Sequence, residues 1–406
     1  MKRRKIAIVG GGAAGIMAAI IAARNGASVT VYESNDRIGK KILATGNGRC
    51  NLTNVSAEKQ RYHGKNTDFI TYTTEKFWVG ETLDFFSELG LLYKVEDEGK
   101  VYPYSNHATS VLDVLRFELD RLGVKFEFGF EVKDISKNGE GFTIISYKSQ
   151  KAIADKVIIT TGGKASPSSG SKGGGYELLE SFGHKITNLF PSLVQIKLKT
   201  NTLKQLNGLK IDGVIAAKEG KKIIRKEKGE ILFTDYGISG PAVFSISRIA
   251  GEKKECVFEI DMMPEYSFDD IVDILKKQRK IMKYVEELFV GVLNKRIGQV
   301  IIKSCTELKM NDDINKITDD TIKNMASKLK NYQVISDGTM SWNNAQVTAG
   351  GVETDGFCDK TMESKLVKGI YAAGEVLDID GDCGGYNLQW AWSSGYFAGF
   401  SASKEN

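Results

Sequence analysis

Three glycines, Gly10, Gly12 and Gly15, stand between the β-branched run Lys5–Val9 (KIAIV) and the Ala-rich run Ile16–Arg24. Strand, G-x-G-x-x-G and helix in that order are what a bound pyrophosphate requires. Gly10 makes the tight turn, Gly12 lets backbone approach phosphate, and Gly15 lets the helix seat closely on the strand. Ala13 and Ala14 lead into a helix whose free N–H groups and positive dipole end favour an anion. A second strand, Ser28–Tyr32, delivers Glu33 and then Ser34 about twenty residues past the glycines, where a carboxylate accepts hydrogen bonds from ribose hydroxyls. The spacing predicts a dinucleotide site.

The segment that follows separates FAD from NAD. Asp36-Arg37-Ile38-Gly39-Lys40-Lys41 runs directly into ILATGNGRCNLTN (Ile42–Asn54). A Gly-rich stretch this soon after the acidic residue is not needed for NAD; it is expected where the chain wraps the long pyrophosphate and ribityl arm of FAD. Arg37, Lys40 and Lys41 can neutralise phosphate, and Thr45, Gly46, Gly48, Cys50 and Asn51 belong to the wrapping loop. Arg49 serves either the phosphates or a substrate. The far end of the chain supplies the other half. Gly369–Glu375 (GIYAAGE) reads as a strand whose Gly374 and Glu375 return to hold ribityl hydroxyls, with Asp378 just beyond. Gly384 and Gly385 then lead through Tyr386, Asn387, Leu388 and Gln389 into a helix from Trp390 to Phe400. Its N-terminus can stabilise negative charge on the pyrimidine side of a reduced isoalloxazine. Between these ends, Val124–Val132 alternates like a strand pair and presents the Val132 backbone to adenine. Ala154–Thr160 is a buried strand running into a turn, Thr161-Gly162-Gly163, that approaches the cofactor. GSKGGG (Gly170–Gly175) before Tyr176–Phe182 reads as a tight helix entry, since no βαβ unit with an acidic residue surrounds it.

Bulk properties narrow the context. A chain of 406 residues with 41% hydrophobic content exceeds one compact core and suggests two or three domains. The net charge of +5, from 56 basic and 51 acidic residues, and the lack of a basic, aromatic-laced tract argue against a nucleic-acid partner. Five scattered cysteines (Cys50, Cys256, Cys305, Cys358, Cys383) form no CxxC pair, which fits a reducing, cytoplasmic compartment. Three unclustered histidines argue against a histidine-based metal site. Lys2 to Lys5 before an apolar run resembles a signal peptide, but glycines interrupt the run and no cleavage site follows. No segment offers the roughly 18 uninterrupted apolar residues of a membrane span. Nothing in the sequence sets the oligomeric state.

The expected fold class is α/β: a two-part Rossmann-type FAD-binding domain with a parallel sheet, into which a small β-barrel and a helical cap are inserted. The first part spans residues 1–190. Short alternating strands at Val194–Leu198, Ile211–Ala217, Lys221–Arg225 and Glu230–Thr234 suggest a small barrel or sandwich in 191–265, with a return at 331–346 around Gln333–Ser336. The Lys/Glu-rich text of 266–330 has apolar residues at three- and four-residue steps, the cap. The second part of the cofactor domain is 347–406, entered through Thr348-Ala349-Gly350-Gly351.

The stretches GKKILATGNGRCNLTN (Gly39–Asn54), YPYSNHATSVLDVL (Tyr102–Leu115), LFTDYGISGPAV (Leu232–Val243), VTAGGV (Val347–Val352), TMESK (Thr361–Lys365) and GIYAAGEVLDIDGDCGGYNLQWAWSSG (Gly369–Gly395) closely resemble the HI0933-like flavoprotein family. That family includes BaiN-type 3-dehydro-bile-acid reductases and aminoacetone oxidases. The resemblance implies FAD, the fold above, and substrate beneath the cap near Arg49, Cys50, Asn51, Tyr102, Tyr104 and Asn387. Arg49, Asn51, Tyr102 and Tyr104 are the candidate catalytic residues, either tyrosine being a candidate proton donor. Cys50 lacks a partner for redox chemistry, and Trp390 and Trp392 pack the last helix. The family often has His where this chain has Asp235, and Thr or Phe where it has Cys383. Three activities are implied for a small-molecule substrate or a macromolecule. The first is reduction of an unsaturated, steroid-like ketone with NAD(P)H as transient donor through flavin N5. The others are oxidation of a small amine by oxygen, and a flavin-dependent RNA-modifying or regulatory role.

Overall fold

The computed structural model describes residues 3–139, 141–199, 203–220 and 222–404, with only the backbone of 203 and 204. Lys2, and Lys221 where a strand is expected to start, lie outside the described residues.

Five parallel strands form the central sheet: β1 (Lys5–Val9), β2 (Ser28–Glu33), β3 (Lys125–Phe128), β4 (Lys156–Ile159) and β5 (Ile370–Ala372), in the order β5-β4-β1-β2-β3. Ile6 pairs with Val29 on one side and Lys156 on the other, and Val157 pairs with Ile370. Strands covered on both faces need unbroken apolar runs, and Ile6, Ala7, Ile8, Val9, Val157, Ile158 and Ile159 are all buried. The first and last parts of the chain thus share one sheet.

Helices seal the same union. Helix α1 (Ala13–Arg24) is buried from Ala14 to Ala22, with no polar face. Helix α2 (Tyr386–Ser403) lies directly on it: a Cβ at Gly395 would come within 2.5 Å of the Ala14 carbonyl, and one at Gly399 within 2.4 Å of the Ala18 carbonyl. Glycines four apart on one helix, facing alanines four apart on the other, let the backbones touch. Trp390 and Trp392 are fully buried on α2, and their indole N–H groups donate to the Gly374 and Leu52 carbonyls.

Backbone contacts divide the chain into two units: residues up to Pro191 together with those from Trp342 onward, and Ser192–Ser341. In the second unit a closed six-stranded barrel runs Ile196–Leu198, Gly237–Ser239, Lys222–Phe233, Lys210–Glu219, Val257–Asp261 and Tyr332–Thr339. Helices Phe268–Ile281, Lys295–Cys305 and Asp319–Lys330 share its hydrophobic core through Ile271, Leu275, Ile301 and Leu329. The unit's ends meet: Met340 N–H donates to the Gln195 carbonyl at 3.0 Å.

Three elements differ from expectation. The strands read in Val124–Val132 do not pair; β3 joins the parallel sheet, while Val132 starts an antiparallel sheet with Gly141–Ser146 and Lys151–Ala154. Gly129, at φ +65°, turns the chain between them, and its N–H donates to the Asn35 carbonyl. The two barrel strands read at 221–225 and 230–234 are one, Lys222–Phe233, because Gly229 stays in the ladder opposite Gly213. Helix α2 starts four residues early, at Tyr386, since Gly384 and Gly385 (φ +130° and +101°) set its entry.

Candidate active site

The glycine loop leaves β1 with a turn only glycine takes freely. Gly10 has φ +103°, its N–H donates to the Tyr32 carbonyl, and a Cβ would lie 2.7 Å from the Thr160 carbonyl oxygen. A Cβ on Gly15 would come within 2.0 Å of the Gly10 carbonyl oxygen. Gly12 is different: a Cβ there would meet nothing within 4 Å, and as N-cap it gives α1 no side-chain hydrogen bond. Open space thus faces the N-terminus of α1, with Ala13 and Ala14 in its first turn.

Glu33 ends β2 buried, with Oε2 accepting from Gly11 N–H at 2.8 Å and Oε1 from the Asn35 N–H and side-chain amide at 2.8 and 2.7 Å. Ser34 Oγ adds a contact at 3.2 Å. Asn35, which no motif signalled, also ties Lys40 and the Ser169 carbonyl to this corner. Arg37 is exposed. Val132 lies buried just past Phe130, whose N–H donates to the Glu33 carbonyl and whose ring contacts Tyr32 at 4.7 Å.

Lys41 and Glu375, far apart in sequence, meet at 2.7 Å, and the other Glu375 oxygen accepts from Thr348 N–H at 2.8 Å. Gly163 lies against the same carboxylate, 3.0 Å from a Cβ built on it, and Gly162 has φ +71°. The buried Thr161 hydroxyl has no partner. Gly374, at φ +79°, receives Ser394 Oγ on its N–H. Asp378 is buried and accepts from Lys65 N–H at 2.9 Å.

The loop Thr45–Asn51 departs from ordinary backbone at Gly46, Asn47, Gly48 and Cys50, all with φ between +55° and +83°. Cys50 is wholly buried, and burial pushes its thiol up to about 12. Arg49 projects beside it. Its Nη2 lies 2.5 Å from Glu96 and 2.7 Å from Asn106 Oδ1, and its guanidinium stacks 3.9 Å from the centre of the Tyr102 ring. Burial, first, holds the Tyr102 phenol above its ordinary value. Tyr104 is 68% exposed.

Asn51 is buried, and its Oδ1 has no partner. It abuts Gly385, where a Cβ would stand 3.0 Å from that oxygen, so an unpaired acceptor sits beside the N-terminus of α2. Asn387 clamps the preceding loop, accepting from Gly381 N–H and donating to its carbonyl at 2.8 and 2.7 Å. The Tyr386 carbonyl accepts from Tyr62 OH. Leu388 packs half-buried against the core. Gln389 is fully buried, and its amide is engaged by Thr53, Thr82 and Ser393, so its side chain braces the site from within. Cys383 is half-buried in the same loop, while Asp235 is exposed in a barrel hairpin of the other unit.

Several polar partners are not among the expected site residues: Asn35, Glu96, Asn106, and the pair His63–Asp382 at 2.7 Å. Asn35 meets Glu33 two residues away, whereas the others are joined to their partners by chain folding, not by spacing. Among the described residues, no group of three or more His, Cys, Asp or Glu is placed to hold a metal. None of the described helices is long and apolar enough to cross a membrane.

These residues fit FAD. The glycine N-caps of α1 and α2 have no side-chain hydrogen bond, open space fronts Gly12, and Asn51 Oδ1 beside the N-terminus of α2 has no partner within the protein.

The family model described as the HI0933-like protein Rossmann domain matches residues 4–401. The chain is 39% identical to the 3-dehydro-bile acid delta(4,6)-reductase of Clostridium scindens, over 98% of this chain and 99% of that one. It is 32% identical to the ribosomal RNA dihydrouridine synthase of Haemophilus influenzae, over 98% of both chains. With its Escherichia coli namesake it shares 30%, over 98% of this chain and 97% of that one. Among solved structures, the 3-ketosteroid-delta4-(5alpha)-dehydrogenase of Rhodococcus jostii RHA1 aligns with a TM-score of 0.50 at 13% identity, over 99% and 97% of the two chains. That is a likeness of fold.

Proposed function

The chain belongs to the HI0933-like family and is an FAD-dependent oxidoreductase, and on that premise we propose that it reduces a carbon–carbon double bond conjugated to a carbonyl, with NAD(P)H as donor. The observation that carries this reading is Arg49 laid flat on Tyr102: a fixed cation, on the loop that also carries the unpaired Asn51 acceptor, side by side with a phenol from the strand Lys100–Pro103. Bound FAD supplies hydride transfer at N5, delivered to the carbon β to the carbonyl.

The protein's own residues do the rest. Arg49 donates to the carbonyl oxygen as negative charge develops there. Tyr102, kept protonated near neutral pH by burial, gives its proton to the α-carbon. Tyr104 is the less favoured acid because solvent surrounds it. The N-terminus of α2, at Gly385 and Tyr386, offsets negative charge, and Asn51 Oδ1 accepts a hydrogen bond in the same region. Glu33 and Ser34 bind ribose; Gly10, Gly12 and Gly15 accommodate pyrophosphate; Glu375 takes ribityl hydroxyls. No second G-x-G-x-x-G occurs, so the nicotinamide donor binds transiently in the same cleft. The 39% relative favours a steroid-like substrate carrying a dienone or enone.

A second reading has its own support in the two relatives named as ribosomal RNA dihydrouridine synthases. The uracil C5=C6 bond is conjugated to the C4 carbonyl, so the same hydride and proton deliveries would serve. The modest charge of +5 weighs against a large RNA footprint.

Anaerobic reduction of the bound flavin separates these cases. Bleaching by NADH or NADPH, followed by recolouring with an unsaturated 3-keto steroid, is the expected result. Recolouring only by ribosomal RNA moves the substrate to uridine. Bleaching only by a small amine, with recolouring by oxygen, overturns the reductase in favour of an oxidase.

A further inference from the structure

Arg49 does not hold its position alone. Its Nη2 meets Glu96 Oε1 at 2.5 Å, and its Nε and Nη2 donate to Asn106 Oδ1 at 3.1 and 2.7 Å. Among the described residues nothing accepts from Nη1. The guanidinium is therefore held on its Nε–Nη2 edge and on its face, with Nη1 left for a ligand. Asn106 reaches this contact from a left-handed backbone, φ +58°, a conformation asparagine tolerates better than most residues. Glu96 directly follows Tyr93–Val95, the edge strand of a small antiparallel sheet in which Lys94 stands opposite Tyr102. The same Glu96 oxygen takes Lys94 Nζ at 2.8 Å, so one carboxylate serves two cations.

We propose that Glu96 and Asn106 are positioning residues: they lock the Arg49 guanidinium against Tyr102 with Nη1 presented to the substrate's carbonyl oxygen, and Glu96 balances the charge beside the phenol. The proposal rests on Arg49 and Tyr102 serving the substrate. A five-donor planar fork loses its directional value if it swings, and a carboxylate on one edge with an amide oxygen on the same edge prevents rotation. The charged and titratable groups facing Tyr102 are Lys100, Arg49, Glu96 and Cys383 from their several segments, with Lys94 on the neighbouring strand. Lys100 and Arg49 favour the phenolate, whereas Glu96 opposes it. Neutralising Glu96 leaves the cations unbalanced and makes Tyr102 more acidic.

Three variants of the full-length holoenzyme test this. Glu96→Gln keeps the shape and an acceptor but removes the charge. Asn106→Gly removes the amide while accepting the positive φ. Glu96→Asp is the conservative control. Flavin content is expected to stay at the wild-type level in all three. The tyrosinate absorbance of Tyr102, isolated by difference against Tyr102→Phe, is expected to titrate at lower pH in Glu96→Gln by about half a unit to one unit. Asn106→Gly should leave that titration in place but lower kcat roughly tenfold with little change in KM. Glu96→Asp should recover most of the wild-type titration. An unmoved Tyr102 titration in Glu96→Gln, or an unchanged kcat in Asn106→Gly, overturns the proposal. The spectroscopic arm needs no substrate: if it shifts as expected and no enone is turned over, the reductase reading fails while the charge balance stands.

Discussion

Two single residues carry predictions that burial alone decides. Cys50 has no exposed surface, and burial raises its thiol to about 12. At pH 8 that leaves roughly one thiolate in ten thousand, too little for redox chemistry. Iodoacetamide at that pH is expected to spare Cys50 in the native protein and label it after denaturation; native labelling read by mass spectrometry would refute a structural role. His184 is 3% exposed and stacked 4.3 Å from Phe357; its Nε2 faces Ser364 Oγ, and its Nδ1 has no partner. Burial lowers its pKa from 6.5 to about 4, because an added proton finds no acceptor. The folded value lies below the unfolded one, so the contribution to stability is complete above about pH 6.5. It is lost as pH falls through that window toward 4, by on the order of 3 kcal/mol. Urea midpoints at about pH 7.5 and about pH 5 should differ less in His184→Gln than in the wild type.

At the scale of elements, the glycine loop separates folding from binding. Gly15 seats α1 on Gly10, and Gly15→Ala must lift the helix against a 2.0 Å clash, which costs about 1–3 kcal/mol. Gly12 meets nothing and has φ −82°, so alanine fits the apoprotein. Gly12→Ala is expected to keep the apoprotein's melting temperature yet weaken FAD binding at least tenfold, by filling the space a pyrophosphate needs. Gly15→Ala should lower both. Equal FAD affinity in Gly12→Ala and the wild type, by fluorescence titration, would place the phosphates elsewhere.

On the scale of the whole molecule, the chain is one domain interrupted by another. The Gly395–Ala14 and Gly399–Ala18 seam, together with β5 beside β4, closes the first unit around its interruption. The inserted unit has its own core, and its ends pair at Ile196–Thr339. A fragment of residues 192–341 should therefore unfold cooperatively by itself. A circular-dichroism melt without a transition would show that it depends on the rest of the chain.

Much of this was legible in residue order, because the forces concerned act locally. The run KIAIV, glycines at 10, 12 and 15, and the carboxylate closing SVTVYE encode strand, turn, helix and strand through backbone sterics and burial alone. The inward alternation around the barrel and the apolar periodicity of 266–330 belong to the same class. Where local signals compete, residue order misleads: the strand expected to end at Arg225 continues through Gly229 in its ladder, and Gly384–Gly385 start α2 a turn early. What only the tertiary structure decided is which polar groups meet. Lys41 finds Glu375 across 334 positions, Asp382 finds His63 across 319, and Arg49 finds Glu96 and Asn106 across 47 and 57. Such pairs have no period, since chain closure brings them together. Their partners follow from the packed backbone, and residue order alone carries no trace of them.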